Sequence, residues 1–563
     1  MNSQETIITL SISQTGTPHE RSVLFNVLVD GETVVINQGL SPTDWRAMCE
    51  LSQRYNAMFE QHDQRTGITA ENLRALGVEL FNLWLERTWD RIMARVPVGN
   101  RCLLVIASDV ADVLNLPWEI LIPAGRDFIG FDPKFGIRRL PWSDRSPAPV
   151  AGALPPRPLR ILFMACAPQD QPPLDYEREE EFLLQAISRA GPNVAFDSGD
   201  LGTFEELRER INGFQPHIVH LTGHGIVGDD GLGYFAFEDE HGDSDLRSSM
   251  EIRQRLFGGS GVQCAFISGC QSGKAPEVAV LGGVCQGLVG EEVPLAIGWA
   301  SSIADDIATR FATTFYNTLA AGQPVDRALL QARQAIRKEC EERGDLSWTL
   351  PALYAATTQS LVFDPNPARP PVPPPHPSVV QQPLPGMKEG YAEHFVDRRR
   401  ELQRLLPALR EGALQVLIIT GIGGAGKSAL ATRLARKLEV DGFTLIPVPS
   451  SKETPLSVAR LLQICGDVFL SSGLREAHAT LRDASLPADD RVRYIVSVLN
   501  RGRFVLVLDN FEVNIEESSR RILDPTLADF YSHLLTGLAG GSRAIITCIY
   551  RPADVIQREA KSE

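Results

Sequence analysis

Residues 217–225 read His217-Ile218-Val219-His220-Leu221-Thr222-Gly223-His224-Gly225, and residues 264–273 read Cys264-Ala265-Phe266-Ile267-Ser268-Gly269-Cys270-Gln271-Ser272-Gly273. Each begins as a short, largely apolar run and closes on a polar residue flanked by glycine, the pattern of a buried strand followed by a sharp turn. Outward from these two, strand-like runs recur at 160–165, 194–196 and 296–299, and helix-like runs at 177–189, 204–211, 306–319 and 324–343. Such alternation predicts an α/β fold with a largely parallel sheet covered by helices on both faces. Ligands bind such sheets at the carboxyl ends of strands, which is where His224 and Cys270 fall.

A thiol at a strand end between glycines is accessible, and an imidazole within reach can take its proton to leave a nucleophilic thiolate. The competing reading of a Cys is a small buried hydrophobe. It is the reading adopted for Cys102, Cys166, Cys264, Cys285 and Cys340, and His217 and His220 are likewise read as structural. Cys270 and His224 stand apart because their glycine-flanked strand ends match.

The chain of 563 residues accommodates about three to five folded units. Its 55 Lys and Arg against 70 Asp and Glu give a net charge of −15, a balance that disfavours nonspecific binding of nucleic acid or anionic membrane. Nine Cys without a CxxC pair signal neither a disulfide framework nor a zinc site. The start Met1-Asn2-Ser3-Gln4-Glu5 lacks a secretory pattern, and no apolar run is long enough to span a bilayer, so the expected compartment is the cytoplasm, without membrane insertion. Ten prolines within 365–385 read as a semi-rigid spacer, with a ligand for a proline-binding domain as the alternative. Residues 146–158 read as a surface connection.

Beyond the spacer, the apolar run 416–420 leads into Gly421-Ile422-Gly423-Gly424-Ala425-Gly426-Lys427-Ser428 and a helix-like run at 429–438. This is GxxxxGK[ST] in its required strand-to-helix setting: amide groups wrap a phosphate, Lys427 reaches the terminal phosphates, and the Ser428 hydroxyl joins a magnesium shell. The apolar strand 504–508 ends in Asp509, which either holds that magnesium or caps a turn. Glu512 is a candidate for activating water, and Thr547 at the end of strand 543–547 is a candidate γ-phosphate sensor. The expected cofactors are ATP or ADP with Mg2+.

From about 73 to 363 the chain resembles a CHAT domain of the caspase, separase and gingipain clan. The resemblance rests on Leu116-Pro117-Trp118-Glu119, His220-Leu221-Thr222-Gly223-His224-Gly225, Ile267-Ser268-Gly269-Cys270-Gln271-Ser272-Gly273, Ala296-Ile297-Gly298-Trp299 and the run 321–329. It implies a caspase-like parallel-sheet sandwich with a half lacking the dyad (1–147), a catalytic half (148–363), the proline linker (364–388) and a P-loop NTPase domain (389–563). It further implies a Cys–His dyad endopeptidase with Cys270 as nucleophile, His224 as base and then acid, and the amides of Cys270 and Gly225 as oxyanion hole. Asp305 and Asp306, after Trp299, either line a pocket for a basic residue before the scissile bond or cap the following helix.

The C-terminal region resembles a STAND-class NTPase of the NACHT and NB-ARC kind, with 395–398 like the entry motif that places Arg398 near the nucleotide. That family continues into helical subdomains and a sensor, so an ending at Glu563 reads as a fragment or a minimal version, with a sensor or activator ligand acting through the missing region. Together the resemblances imply a bacterial-type signalling peptidase for defence or regulated cell death, switched by nucleotide and by self-assembly, acting on a protein substrate. The alternative is a nucleotide-driven scaffold that binds partners without cleaving them.

Overall fold

The computed structural model describes residues 5–17, 20–60, 66–144, 147, 153–174, 176–190, 193–228, 233–270, 278–290, 292–301, 305–358, 360–366, 369–372, 382–387 and 398–553. They form two compact units, Met1–His376 and Pro377–Glu563.

In chain order the strands of the first unit are β1 (Glu5–Thr17), β2 (Glu20–Val29), β3 (Glu32–Leu40), β4 (Arg101–Ser108), β5 (Phe135–Leu140), β6 (Leu159–Ala165), β7 (Val194–Ser198), β8 (Ile218–Thr222), β9 (Gly225–Val227), β10 (Gly233–Glu238), β11 (Ser244–Ser248), β12 (Cys264–Cys270), β13 (Leu295–Ser301) and β14 (Ala352–Ala355). Eleven of them make one sheet in the order β3-β2-β1-β4-β5-β14-β13-β12-β8-β6-β7. β14 is parallel to β5 but antiparallel to β13, so the sheet consists of two half-sheets of opposite direction joined at that seam. The strands of the second half, β13, β12, β8, β6 and β7, are mutually parallel. The α/β expectation therefore holds, with one addition: β1, β2 and β3 form an antiparallel meander that extends the first half. Its basis is strict alternation, Val23, Phe25, Val27 and Val29 being buried while their neighbours are partly exposed.

Helix Thr66–Trp84 is followed by a short helix, Trp89–Met93. Leu116-Pro117-Trp118-Glu119 acts in the core. Trp118 Nε1 donates to the Val113 carbonyl at 2.8 Å, and both Glu119 oxygens accept from Arg139 at 2.8 Å.

The second unit has four parallel strands, β15 (Val416–Thr420), β16 (Thr444–Pro449), β17 (Phe504–Asp509) and β18 (Arg543–Cys548), in the order β15-β18-β17-β16. β18 thus separates the P-loop strand from the strand ending in Asp509. The proline segment is anchored at both described ends. Val372 N–H donates to the Arg157 carbonyl in the first unit, and Arg436 Nε donates to the Gln382 carbonyl in the second. Among the described residues no helix is long and apolar enough to cross a membrane.

Candidate active site and nucleotide loop

β8 and β12 are parallel neighbours, paired from Ile218 with Cys264 to Thr222 with Ser268. His224 lies two residues past Thr222 and Cys270 two past Ser268, so both leave the same rung of strands that run about 4.8 Å apart. Gly223 N–H donates to the Ser268 carbonyl at 3.0 Å, which ties the two ends together. Only glycine fits there: a Cβ on Gly223 would sit 2.5 Å from Cζ of Phe235.

His224 is 5% exposed, and its Nε2 lies 2.9 Å from the Pro172 carbonyl. A carbonyl only accepts, so Nε2 carries the proton and the neutral ring's lone pair resides on Nδ1. Burial pushes the imidazole pKa below its usual value, against a smaller opposing effect of that carbonyl, so the ring is a neutral base at neutral pH. Cys270 is the last residue of β12; its side chain and residues 271–277 lie outside the described residues. Gly225 opens β9, opposite Phe235 of β10, at the same end of the sheet.

The carbonyl that holds His224 comes from a loop fastened to the β10–β11 hairpin. Ala167 N–H donates to Glu238 at 2.8 Å, Gln169 N–H to the Gly242 carbonyl at 2.8 Å, and Ser244 donates from both N and Oγ to Asp170. Pro172, Glu238 and Asp170 went unremarked in the sequence. Pro172 acts through a backbone atom, which leaves no sequence signal, and the two acids lie far from the residues they hold.

Cys102, Cys166, Cys264, Cys285 and Cys340 are buried, and burial raises the pKa of Cys264 and Cys285 and pushes Cys340 up to about 12. Asp305 and Asp306 occupy the first turn of helix Asp305–Ala320, where acids oppose the helix dipole; their side chains lie outside the described residues.

In the second unit the loop 421–426 joins β15 to helix Lys427–Val440. Gly424 and Gly426 have φ of +81° and +78°, and a Cβ at Gly423 or Gly424 would meet only open space. Lys427 Nζ donates to the Gly421 and Ile422 carbonyls at 2.9 Å, poised over the loop. Arg398 reaches the same loop, donating to the Ala425 carbonyl at 2.8 Å. Ser428 opens the helix beside Lys427, and Asp509 ends β17 with Oδ1 accepting from Thr547 Oγ1 at 2.7 Å. Thr547 thus holds Asp509 and also accepts from Asn510 N–H. Glu512 keeps a buried Oε2 with no partner among the described residues. An amide loop, a lysine, a hydroxyl and a strand-end carboxylate form a donor set that fits a nucleoside polyphosphate with magnesium.

Two domain families match the chain. The CHAT domain family matches residues 76–377, and the AAA ATPase domain family matches residues 394–539. No curated protein matches the chain. Among solved structures, similarity is found to the separase–securin complex of Saccharomyces cerevisiae, at 12% identity and a TM-score of 0.31, covering 63% of this chain and 30% of that one. The Arg-specific cysteine proteinase gingipain R shows 9% identity and a TM-score of 0.31, over 52% of this chain and 68% of that one. The complex of the Porphyromonas gingivalis RgpB pro- and mature domains shows 10% and 0.30, over 52% and 71%. The chain spans about 30% of the separase chain's length. It belongs to the CHAT domain family and carries an AAA ATPase domain C-terminal to it.

Proposed function

We propose that the chain is a cysteine endopeptidase in which Cys270 attacks the scissile carbonyl and His224 takes the thiol proton on Nδ1, then returns it to the leaving amine. The observation that carries this reading is the Pro172 carbonyl. By accepting from Nε2, it fixes the tautomer whose free lone pair belongs to Nδ1, two residues past the Thr222–Ser268 pair that Cys270 also follows by two. The amides of Cys270 and Gly225 would stabilise the oxyanion. Asp305 or Asp306 would favour Arg or Lys immediately before the scissile bond.

The C-terminal domain would bind ATP or ADP through Gly421, Gly423, Gly424, Ala425, Gly426 and Lys427, with Arg398 bracing the loop, Ser428 and Asp509 meeting magnesium, and Thr547 orienting Asp509. Bound magnesium would neutralise phosphate charge there. In this reading a STAND-like nucleotide switch controls the peptidase in the cytoplasm. It answers an activator ligand, acts through assembly of several copies on a protein substrate, and serves bacterial defence or regulated cell death. Mapping new protein N-termini in a host lysate tests the proposal. Cleavages that follow basic residues and vanish with Cys270→Ala or His224→Ala support it. Cleavages retained by folded Cys270→Ala protein refute it.

A further inference from the structure

We infer that Glu179 is a positioning residue for the Cys270–His224 pair, acting through His220 and Thr222; this rests on the peptidase reading above. Glu179 stands in the first turn of helix Tyr176–Ala190. Its Oε2 accepts from Thr222 Oγ1 at 2.8 Å, and its Oε1 lies 3.0 Å from His220 Nε2. On the other side of the ring, His220 Nδ1 lies 2.7 Å from the hydroxyl of Tyr316, which belongs to helix Asp305–Ala320.

The proton positions follow from what each atom can do. An ionised carboxylate only accepts, so His220 Nε2 donates to Glu179, and Nδ1 accepts from Tyr316. Burial pushes the Tyr316 pKa well above its usual value, with Cys264 and Glu179 nearby adding to the effect, so this hydroxyl keeps its proton. For Glu179 itself burial opposes ionisation, but the hydrogen bonds from His220 and Thr222 outweigh it and hold the carboxyl below its usual range. The facing titratable groups are therefore His220 on β8, Tyr316 on the helix and Cys264 at the start of β12. Every hydrogen bond in the set points toward Glu179.

The placement gives the set its consequence. His220 pairs across the sheet with Phe266, and its ring stacks on Phe266 at 4.3 Å; Thr222 pairs with Ser268. His224 and Cys270 each follow two residues beyond that last pair. Glu179 therefore grips the last two residues of β8 that face it, directly beneath the reactive pair, and fixes where the strand ends. A carboxylate only 16% exposed is costly to hold there unless it is well hydrogen-bonded, and here those bonds are spent at the foot of the candidate dyad.

The test is the rate at which iodoacetamide alkylates Cys270 in the full chain, resolved by mass spectrometry from pH 5 to 9, for wild type, Glu179→Gln, Glu179→Asp and Tyr316→Phe. Tryptophan-monitored melting reports folding. Folded Glu179→Gln is expected to react about tenfold more slowly at neutral pH, as a small misplacement of reacting groups does, with a displaced pH midpoint that Glu179→Asp partly restores. A wild-type rate and midpoint in folded Glu179→Gln overturn the inference. Should that variant not fold, a wild-type profile in Tyr316→Phe overturns it, and a displaced one supports it. Failure of the peptidase reading looks different: wild-type Cys270 titrates like an ordinary thiol and His224→Ala changes nothing, and the inference falls with it.

Discussion

Replacing Glu119 by Gln should destabilise the first unit alone, by an amount the structure lets one work out. Glu119 and Arg139 have side chains 1% and 3% exposed and meet through two bonds of 2.8 Å, and Arg333 approaches the same carboxylate at 3.5 Å. Removing the charge leaves two guanidinium groups facing each other in the core. Breaking a buried pair from one side costs about 3–5 kcal/mol. Burial alone would raise the Glu119 pKa, but Arg139 and Arg333 outweigh it and hold it below its usual range. The sign follows: the carboxylate's contribution is fully present above the unfolded value of roughly 4.3 and is lost as pH falls through the lower folded value. All seven tryptophans lie between Trp45 and Trp348, so tryptophan fluorescence reports the first unit without the second. In a urea titration at pH 7 the midpoint should fall by about 1 M or more at unchanged slope, given a slope near 3 kcal/mol per M. Variant and wild type should begin to converge only below about pH 4. A midpoint within about 0.3 M of wild type at pH 7 would refute the reasoning, because an exposed pair is worth at most about 1 kcal/mol.

Three further outcomes follow. Burial, aided by Arg160, lowers the His217 pKa to about 3, so its neutral form contributes stability above the unfolded value of about 6.5 that drains away as pH falls. His217→Gln should flatten the pH dependence of the first unit between about pH 6 and 4, measured by the same fluorescence. Gly223→Ala drives a methyl against the Phe235 ring, so it should cost about 1–3 kcal/mol and suppress any His224-dependent reactivity of Cys270, read by melting and alkylation together. Lys427→Ala should weaken nucleotide binding. At a hundredfold excess over the dissociation constant, ATP with magnesium should stabilise the wild-type second unit by about 2.7 kcal/mol, followed by calorimetry, and the variant by much less.

The fold was legible where local pattern decides it. The apolar runs ending at Thr222, Ser268, Thr420 and Asp509 are strands, and the P-loop lies in its strand-to-helix setting. The N-terminal meander went unread although its local signals are present: β2 alternates buried and partly exposed residues, Gly16 and Pro18 precede Glu20, and Asp30-Gly31 separates β2 from β3. Leu116-Pro117-Trp118-Glu119 was recognisable as a signature, but its reason was hidden. The partners of Glu119, Arg139 and Arg333, come from distant segments that only the fold brings together. The same holds for the candidate site. His224 and Cys270 carry glycine flanks that can be read, whereas Pro172 contributes a carbonyl and Glu179 sits among the acids of an amphipathic helix, indistinguishable there from a solvated face.

The most direct test of the account is site-resolved alkylation of the wild-type chain at pH 7 with substoichiometric iodoacetamide. A neutral His224 poised to take the thiol proton, with Cys264, Cys285 and Cys340 buried and their pKa values raised, leads to one expected result. Cys270 is labelled first among the nine cysteines, and His224→Ala slows that labelling by about tenfold or more while leaving the others unchanged. Labelling of Cys270 no faster than of the other thiols, or equally fast in folded His224→Ala protein, would contradict the account.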